Sequence, residues 1–92
     1  MTTDWDVVGY VISSDHRTAA VGRLAEGPAT PTQIAEGVDI SVTHVSRALR
    51  ELRKRDLVDL LVPEERRKGR IYGITTRGRE VWELIESKGL AE

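Results

Sequence analysis

Two short helices joined by only three residues are the feature that most restricts how this chain can fold. The first is predicted in TPTQIAEGV, where Thr30 is the expected N-cap, a proline takes the first helical position and Gln33 completes a capping box. Gly37 is expected to end this helix, and after VDI the next helix is expected to begin with Ser41 as its cap. Two helices coupled this closely, with a glycine at the corner, indicate a helix-turn-helix.

The second helix of this pair, SVTHVSRALRELRK, has one apolar side and one polar side. The apolar side is predicted to contain Val42, Val45, Leu49 and Leu52, with Ala48 at its edge. The polar side carries groups that can reach bases and phosphates in the DNA major groove, which admits one α-helix. These groups are Thr43, His44, Ser46, Arg47, Arg50 and Lys54. The alternative is an ordinary amphipathic helix whose polar side is solvated.

Two further helices are predicted before this pair. Helical spacing of apolar residues indicates one from about residue 4 to residue 13, and SSDHRTAAVGRLAEG indicates another, capped by Ser14 or Asp15 and ended by Gly27. The first of these is apolar on more than one side, which a single small core cannot cover. Its apolar residues are Trp5, Val7, Val8, Val11 and Ile12. We therefore expect a contact with a second copy of the chain.

After the pair, the sequence predicts a hairpin and a last helix. DLVDLLV and RIYGIT alternate as strands do, and PEERRKG between them has turn chemistry and consecutive bases. TRGREVWELIESKG then indicates a helix capped by Thr75 or Thr76 and ended by Gly89. Its apolar stripe is Val81, Trp82 and Ile85. Residues 1–92 are expected to form one domain.

Basic residues are concentrated in one block of the chain. Residues 44–70 hold nine Lys/Arg against five Asp/Glu, a net charge of +4, whereas residues 1–43 hold two against six, a net charge of −4. Clustering of this kind favours an anionic partner more than the net charge of −1 does. The alternative is a solvated charged surface.

The sequence disfavours a metal site, an enzyme active site, a membrane span and a secretory signal. It has no cysteine, and its two histidines, His16 and His44, are far apart in sequence, so no metal or other cofactor is expected. Ser13, Ser14 and Asp15 next to His16 are better explained by helix capping than by a catalytic triad, so no enzyme is expected. No apolar run approaches the ~20 residues of a membrane span. The acidic start lacks the charge of a secretory signal, and a cytoplasmic protein is expected.

The order of these segments and their amino-acid sequences resemble those of the ArsR/MarR-type winged helix-turn-helix regulators of prokaryotes, especially small archaeal ones. GPATPTQIAEGVDISVTHVSRALRELRKRDLV followed by GRIYGITTRGREV carries the resemblance, which covers about residues 8–85. It implies an α+β, mainly α fold: a winged helix-turn-helix with a two-stranded β-hairpin wing and flanking dimerisation helices. Many ArsR proteins sense metals through cysteines on the recognition helix or through His and acidic ligands on the last helix. Here VTHVSRAL and REVWELIES contain no Cys, and REVWELIES contains no His.

The resemblance also implies how the chain acts. It implies a homodimer that binds double-stranded DNA, with residues 41–54 as the recognition helix and residues 64–70 as the wing near the minor groove. Besides the polar side of that helix, the expected DNA-binding residues are Thr32, Gln33, Ser41, Arg66, Arg67, Lys68 and Arg70. The expected dimer residues are Trp5, Val8, Ile12, Val81, Trp82 and Ile85. The alternatives are a winged helix that binds other proteins and a non-specific architectural DNA binder.

Overall fold

The described residues form seven short elements, and the order of these elements confirms the predicted fold class. The structure is a computed structural model and describes residues 4–63, 65 and 69–90. Its helices are α1 (Asp4–Ile12), α2 (Asp15–Leu24), α3 (Pro31–Val38), α4 (Val42–Lys54) and α5 (Thr76–Ser87), and its strands are β1 (Val58–Leu60) and β2 (Tyr72–Ile74). Within the described ranges, none of the helices is both long enough and apolar enough to cross a bilayer.

Side-chain oxygens begin the helices as the sequence predicts. Of the alternatives for α2 and α5, the structure selects Ser14 and Thr75, which accept hydrogen bonds from backbone N–H groups in the first turns. At α3 the capping box is complete, because Thr30 Oγ1 accepts from the Gln33 N–H at 3.1 Å and Gln33 Oε1 accepts from the Thr30 N–H at 3.0 Å. Each cap satisfies N–H groups that have no partner within the helix.

The ends of α2 and α3 differ from the prediction. Helix α2 ends at Leu24, three residues before Gly27. Helix α3 runs past Gly37, and the left-handed residue that ends it is Asp39, with φ of 58°. Asp tolerates this conformation better than most residues because its short polar side chain can hydrogen-bond locally. The corner between the two helices is therefore made without its glycine.

One apolar core joins all five helices and the hairpin. Helix α2 packs against each of the other helices and against β2. The largest fully buried side chains include Leu24, Ile34, Leu49, Leu52 and Leu57, and no charged or polar residue of the described part is buried. Val42 was predicted to face this core but is 45% exposed. Ala48, predicted at the edge of the apolar side, is buried. The side of α4 that packs on the core therefore includes Ala48 and excludes Val42, the first residue of the helix.

The hairpin forms the predicted wing. Strands β1 and β2 are antiparallel, with Val58 opposite Ile74 and Leu60 opposite Tyr72. Ala29, just before α3, exchanges backbone hydrogen bonds of 2.9 and 3.0 Å with Tyr72. This bridge fixes the base of the wing beside the start of α3. Most of the predicted tip, Glu64 and residues 66–68, lies outside the described residues.

Half of the predicted dimer residues belong to the core of the single chain. Val8 is 1% exposed, and Val81 and Ile85 are fully buried, so their assignment to a dimer surface is wrong. The reason is that α1 packs against both α2 and α5, which cover its two apolar sides at once. Trp5 remains 50% exposed, and Ile12 and Trp82 are partly buried.

Candidate nucleic-acid interface

Helix α4 is held by its apolar side so that its polar side faces solvent. Val45, Ala48, Leu49 and Leu52 are buried against the core. The residues of α4 that were predicted to contact DNA are all exposed on its other side: Thr43, His44, Ser46, Arg47, Arg50 and Lys54. The Arg47 side chain is 74% exposed. This segregation is what a recognition helix requires, because one side must stay on the domain while the other enters the groove.

An open groove connects this helix to the start of α3 and to the wing. Its lining includes Thr32 from α3, Ser46 and Arg50 from α4, and Arg70 from the segment leading into β2. The bridge between Ala29 and Tyr72 places these three elements side by side. The structure thus brings together residues that are 38 positions apart in sequence, from Thr32 to Arg70.

Arg53 also lines the groove and was not predicted as a site residue. Helical spacing could have predicted it, because residues 46, 50 and 53 are separated by four and three positions and therefore share one face of a helix. Together with Arg50 and Arg70, it gives the groove three guanidinium groups. Arg binds phosphate and guanine with two parallel hydrogen bonds, which makes such a groove suited to nucleic acid.

Two of the predicted DNA-binding residues have a structural role at helix starts. Gln33 completes the capping box of α3, and Ser41 caps α4 by accepting a hydrogen bond from the His44 N–H at 3.3 Å. Both are exposed, as is Thr32. Arg66, Arg67 and Lys68 lie outside the described residues.

A network behind the recognition helix fixes α4 to α1 and α2. The Arg17 guanidinium is 2.9 Å from Glu51 Oε1 on α4, and it donates to the Tyr10 carbonyl at 2.7 and 2.9 Å. It also lies over the Tyr10 ring, at 4.0 Å from the centroid. Glu51 Oε2 is 3.8 Å from Arg47 Nε. The Glu51 carboxylate therefore lies between the largely buried Arg17 and the exposed Arg47.

The two histidines that are distant in sequence are adjacent in space. The rings of His16, in the first turn of α2, and His44, in the first turn of α4, stack with centroids 4.4 Å apart and an angle of 19°. His44 Nδ1 is 2.9 Å from Ser41 Oγ. No sequence signal indicates this pairing, because it depends on how α2 crosses α4.

Neither a metal site nor a catalytic triad is formed by these side chains. Among the described residues, no three His, Cys, Asp or Glu side chains cluster closely enough to hold a metal ion. Ser14 caps α2, and the Ser13 hydroxyl donates to the Tyr10 carbonyl at 2.9 Å. Helix-end hydrogen bonds therefore account for the serines beside His16.

Solved structures of MarR-type regulators share this fold. The chain superposes on a MarR-family transcription regulator, SP03579, with a TM-score of 0.75 at 20% identity, covering 94% of this chain and 60% of that one. For the Staphylococcus aureus MepR–DNA complex the TM-score is 0.71 at 22% identity, covering 91% and 71%. For a double mutant of Lactococcus lactis ZitR it is 0.71 at 23% identity, covering 80% and 51%. The chain thus spans about half of the ZitR chain.

The sequence itself identifies the family. No curated protein sequence is similar enough to count as a match. Residues 5–88, nearly the whole chain, match the family described as the HVO_A0261 N-terminal domain. The chain therefore belongs to the HVO_A0261 N-terminal domain family, with a winged-helix fold of the MarR type.

Proposed function

We propose that this chain is a DNA-binding module of a transcription regulator that binds double-stranded DNA sequence-specifically as a homodimer. The observation that carries the proposal is the groove in which the start of α3, the exposed side of α4 and the wing present Thr32, Ser46, Arg50, Arg53 and Arg70 together. Three arginines beside hydroxyl groups can contact both phosphates and base edges.

The proposed docking places α4 in the major groove. Thr43 and His44, in its first turn, lie deepest, and Ser46 and Arg47 follow one turn later. Arg50 and Lys54 are positioned for phosphates, and Arg66, Arg67 and Lys68 are proposed to reach the minor groove or its phosphates. MepR, a structural neighbour, was solved in complex with DNA, which supports this use of the fold.

The test is a salt titration on DNA selected from random sequence. Each neutralised phosphate adds roughly 0.9 to the slope of log affinity against log salt. A dimer with about three to five phosphate contacts per subunit should therefore give a slope of about −5 to −9. Absence of duplex binding at low salt would contradict the proposal.

The selection also separates the alternatives. Enrichment of one sequence motif is expected of a specific regulator, and a twofold dimer predicts a pseudo-palindrome with half-sites about one helical turn, ~34 Å, apart. Salt-dependent binding without enrichment would indicate an architectural DNA binder. A winged helix that binds only other proteins would give neither result.

A further inference from the structure

Helix α4 begins with an apolar side chain that the core does not cover. Val42 is the first residue of this helix and is 45% exposed. The other large apolar side chains that the structure describes as exposed lie on α1, on the wing segment and after α5. Single exposed apolar residues are common on protein surfaces, so exposure alone does not indicate a function. The position of Val42 relative to the groove does.

Val42 continues the row of side chains by which α4 lines the groove. Ser46, Arg50 and Arg53 belong to that lining. Val42 precedes Ser46 by four positions, and residues four apart share one face of a helix. Along the row, methyl groups at residue 42 are followed by a hydroxyl at residue 46 and a guanidinium at residue 50. At about 1.5 Å per residue, residues 42 and 50 are about 12 Å apart along the axis, which is about the width of the major groove. The row can therefore reach from base edges to the phosphate backbone.

Of the groups that base pairs present in the major groove, the 5-methyl group of thymine is the one that suits Val42. The methyl groups of valine neither donate nor accept hydrogen bonds. Held against the edge of adenine, guanine or cytosine, they would keep water from a donor or an acceptor without replacing its hydrogen bond, which costs free energy. Against thymine they would cover an apolar group and remove it from water. Val42 therefore favours a T·A pair.

The Val42 side chain is held in place before DNA binds. Its Cβ is branched, so one χ1 rotamer is strongly preferred in a helix. Ser41 fixes the backbone of this turn by accepting a hydrogen bond from the His44 N–H at 3.3 Å. Little conformational entropy is then lost when the methyl groups meet a base. The first turn also contains no acidic side chain that DNA phosphates would repel.

We propose that Val42 contacts the 5-methyl group of one thymine in each half-site and is a specificity-determining residue of α4. This inference rests on the proposed DNA-binding function, and it agrees with a docking in which the first turn of α4 lies deepest in the major groove. Loss of one buried methyl group should weaken binding about fourfold per half-site, hence about sixteenfold when both half-sites of a palindrome are changed.

The experiment replaces each thymine of the selected DNA by deoxyuridine, one position at a time and symmetrically in both half-sites. Uracil pairs as thymine does and lacks only the 5-methyl group, so a loss of affinity reports a contact with that group. Fluorescence anisotropy should find such a loss at the thymine that faces Val42. A selected motif without thymine, or equal affinity for every uracil duplex, would overturn the proposal.

Variants of α4 test whether Val42 makes the contact. Val42→Ser removes both methyl groups and should abolish the preference for thymine over uracil, whereas Val42→Ile keeps a branched apolar side chain and should retain it. Thr43→Ser is the matched control, because it removes a methyl group from the next residue and keeps the hydroxyl. Arg50→Ala should weaken binding to the thymine and uracil duplexes by the same factor. Persistence of the preference in Val42→Ser, or its loss in Thr43→Ser, would assign the methyl group to another residue and overturn the proposal.

The uracil scan uses the unmodified protein, so it can overturn the proposal independently of the variants. Circular dichroism verifies that the variants fold, which is expected because Val42 lies outside the core. Complete absence of duplex binding would defeat the proposed function and this inference together. Sequence-specific binding without any difference between thymine and uracil would defeat only the inference.

Discussion

Gly78 lies directly against the main chain of Leu57, and a Cβ built at residue 78 would overlap the Leu57 carbonyl oxygen. That oxygen also accepts a hydrogen bond from the Thr75 N–H at 3.0 Å, and the Thr75 hydroxyl donates to the Asp56 carbonyl at 2.8 Å. The start of α5 is thus fixed to the segment between α4 and β1. Only a residue without a side chain allows the two backbones to approach this closely.

We expect Gly78→Ala to destabilise the protein by about 3 kcal/mol, because backbone, rather than a flexible side chain, must move to admit the methyl group. The matched control is Gly37→Ala in α3, where an added Cβ would be 3.7 Å from the Arg23 side chain, an ordinary contact. That change should stabilise by up to about 1 kcal/mol through helix propensity. Urea unfolding measures both, and equal effects would refute the close approach at Gly78.

Arg17 should contribute more to stability than an ordinary surface arginine. Its side chain is 13% exposed and binds both the Tyr10 carbonyl and Glu51. Arg17→Lys loses the second arm of the guanidinium and should cost about 2 kcal/mol, within the range for hydrogen bonds of charged groups. Glu51→Gln should cost about 1 kcal/mol or less, since the Glu51 side chain is 32% exposed and screened by water.

Thermal or urea unfolding of both variants checks this order. Glu86→Gln removes one carboxylate from the exposed side of α5 and serves as the control, with an expected change within ±0.5 kcal/mol. A Glu51→Gln cost larger than that of Arg17→Lys would show that the ion pair outweighs the bonds to Tyr10.

Arginines on the exposed side of α4 should affect DNA binding but not folding. Arg47→Ala and Arg50→Ala should each weaken specific binding by about 1–3 kcal/mol, the usual cost of removing an arginine that binds a base or a phosphate. Arg79→Ala, which removes the same charge from an exposed position on α5, should leave binding unchanged. Fluorescence anisotropy on the selected DNA measures all three. If Arg79→Ala weakened binding as much as Arg50→Ala, the interface would be wrongly placed.

The wing is expected to contribute affinity rather than specificity. Replacing Arg66 and Arg67 together by alanine should weaken binding to every duplex by a similar factor. The salt slope should fall by about 1 for each phosphate that the variant no longer neutralises. The comparison is between the selected DNA and a scrambled duplex of equal length. Weakening confined to the selected sequence would instead assign base recognition to the wing.

The sequence predicted what local chemistry determines and missed what packing determines. The helix-turn-helix was predicted from the N-caps at Thr30 and Ser41, and the hairpin from the alternation of side chains around Tyr72. Both are signals that neighbouring residues carry. The end of α3 at Asp39 was missed because a glycine two residues earlier is the stronger local signal. This error did not change the order of elements.

The same distinction applies to the candidate site. The exposed side of α4 follows from helical spacing, so the structure exposes every residue predicted there. The contact between His16 and His44 requires two helices to cross at a particular place, which no spacing encodes. The predicted dimer residue Val8 proved to be core because α1 packs between α2 and α5, so both of its apolar sides are covered within one chain.

The exposed indole of Trp5 is the remaining support for a dimer through the terminal helices. Trp5 is 50% exposed on α1, and Leu90, just after α5, is 38% exposed. A second copy covering these side chains would remove apolar surface from water, at about 25 cal/mol per Å². Because the core is complete without Trp5, a charge at this position should separate subunits without unfolding them.

We therefore expect Trp5→Glu to shift the protein toward a folded monomer and to weaken binding to a palindromic site, since two linked recognition helices bind more tightly than one. Leu61→Glu is the matched control: Leu61 is 54% exposed on the wing segment, and the same added charge there should leave the dimer intact. Analytical ultracentrifugation at micromolar concentration measures the association, and circular dichroism verifies folding. A monomeric unmodified protein, or equal dissociation by both variants, would rule out the α1 contact, and the palindromic arrangement would lose its basis.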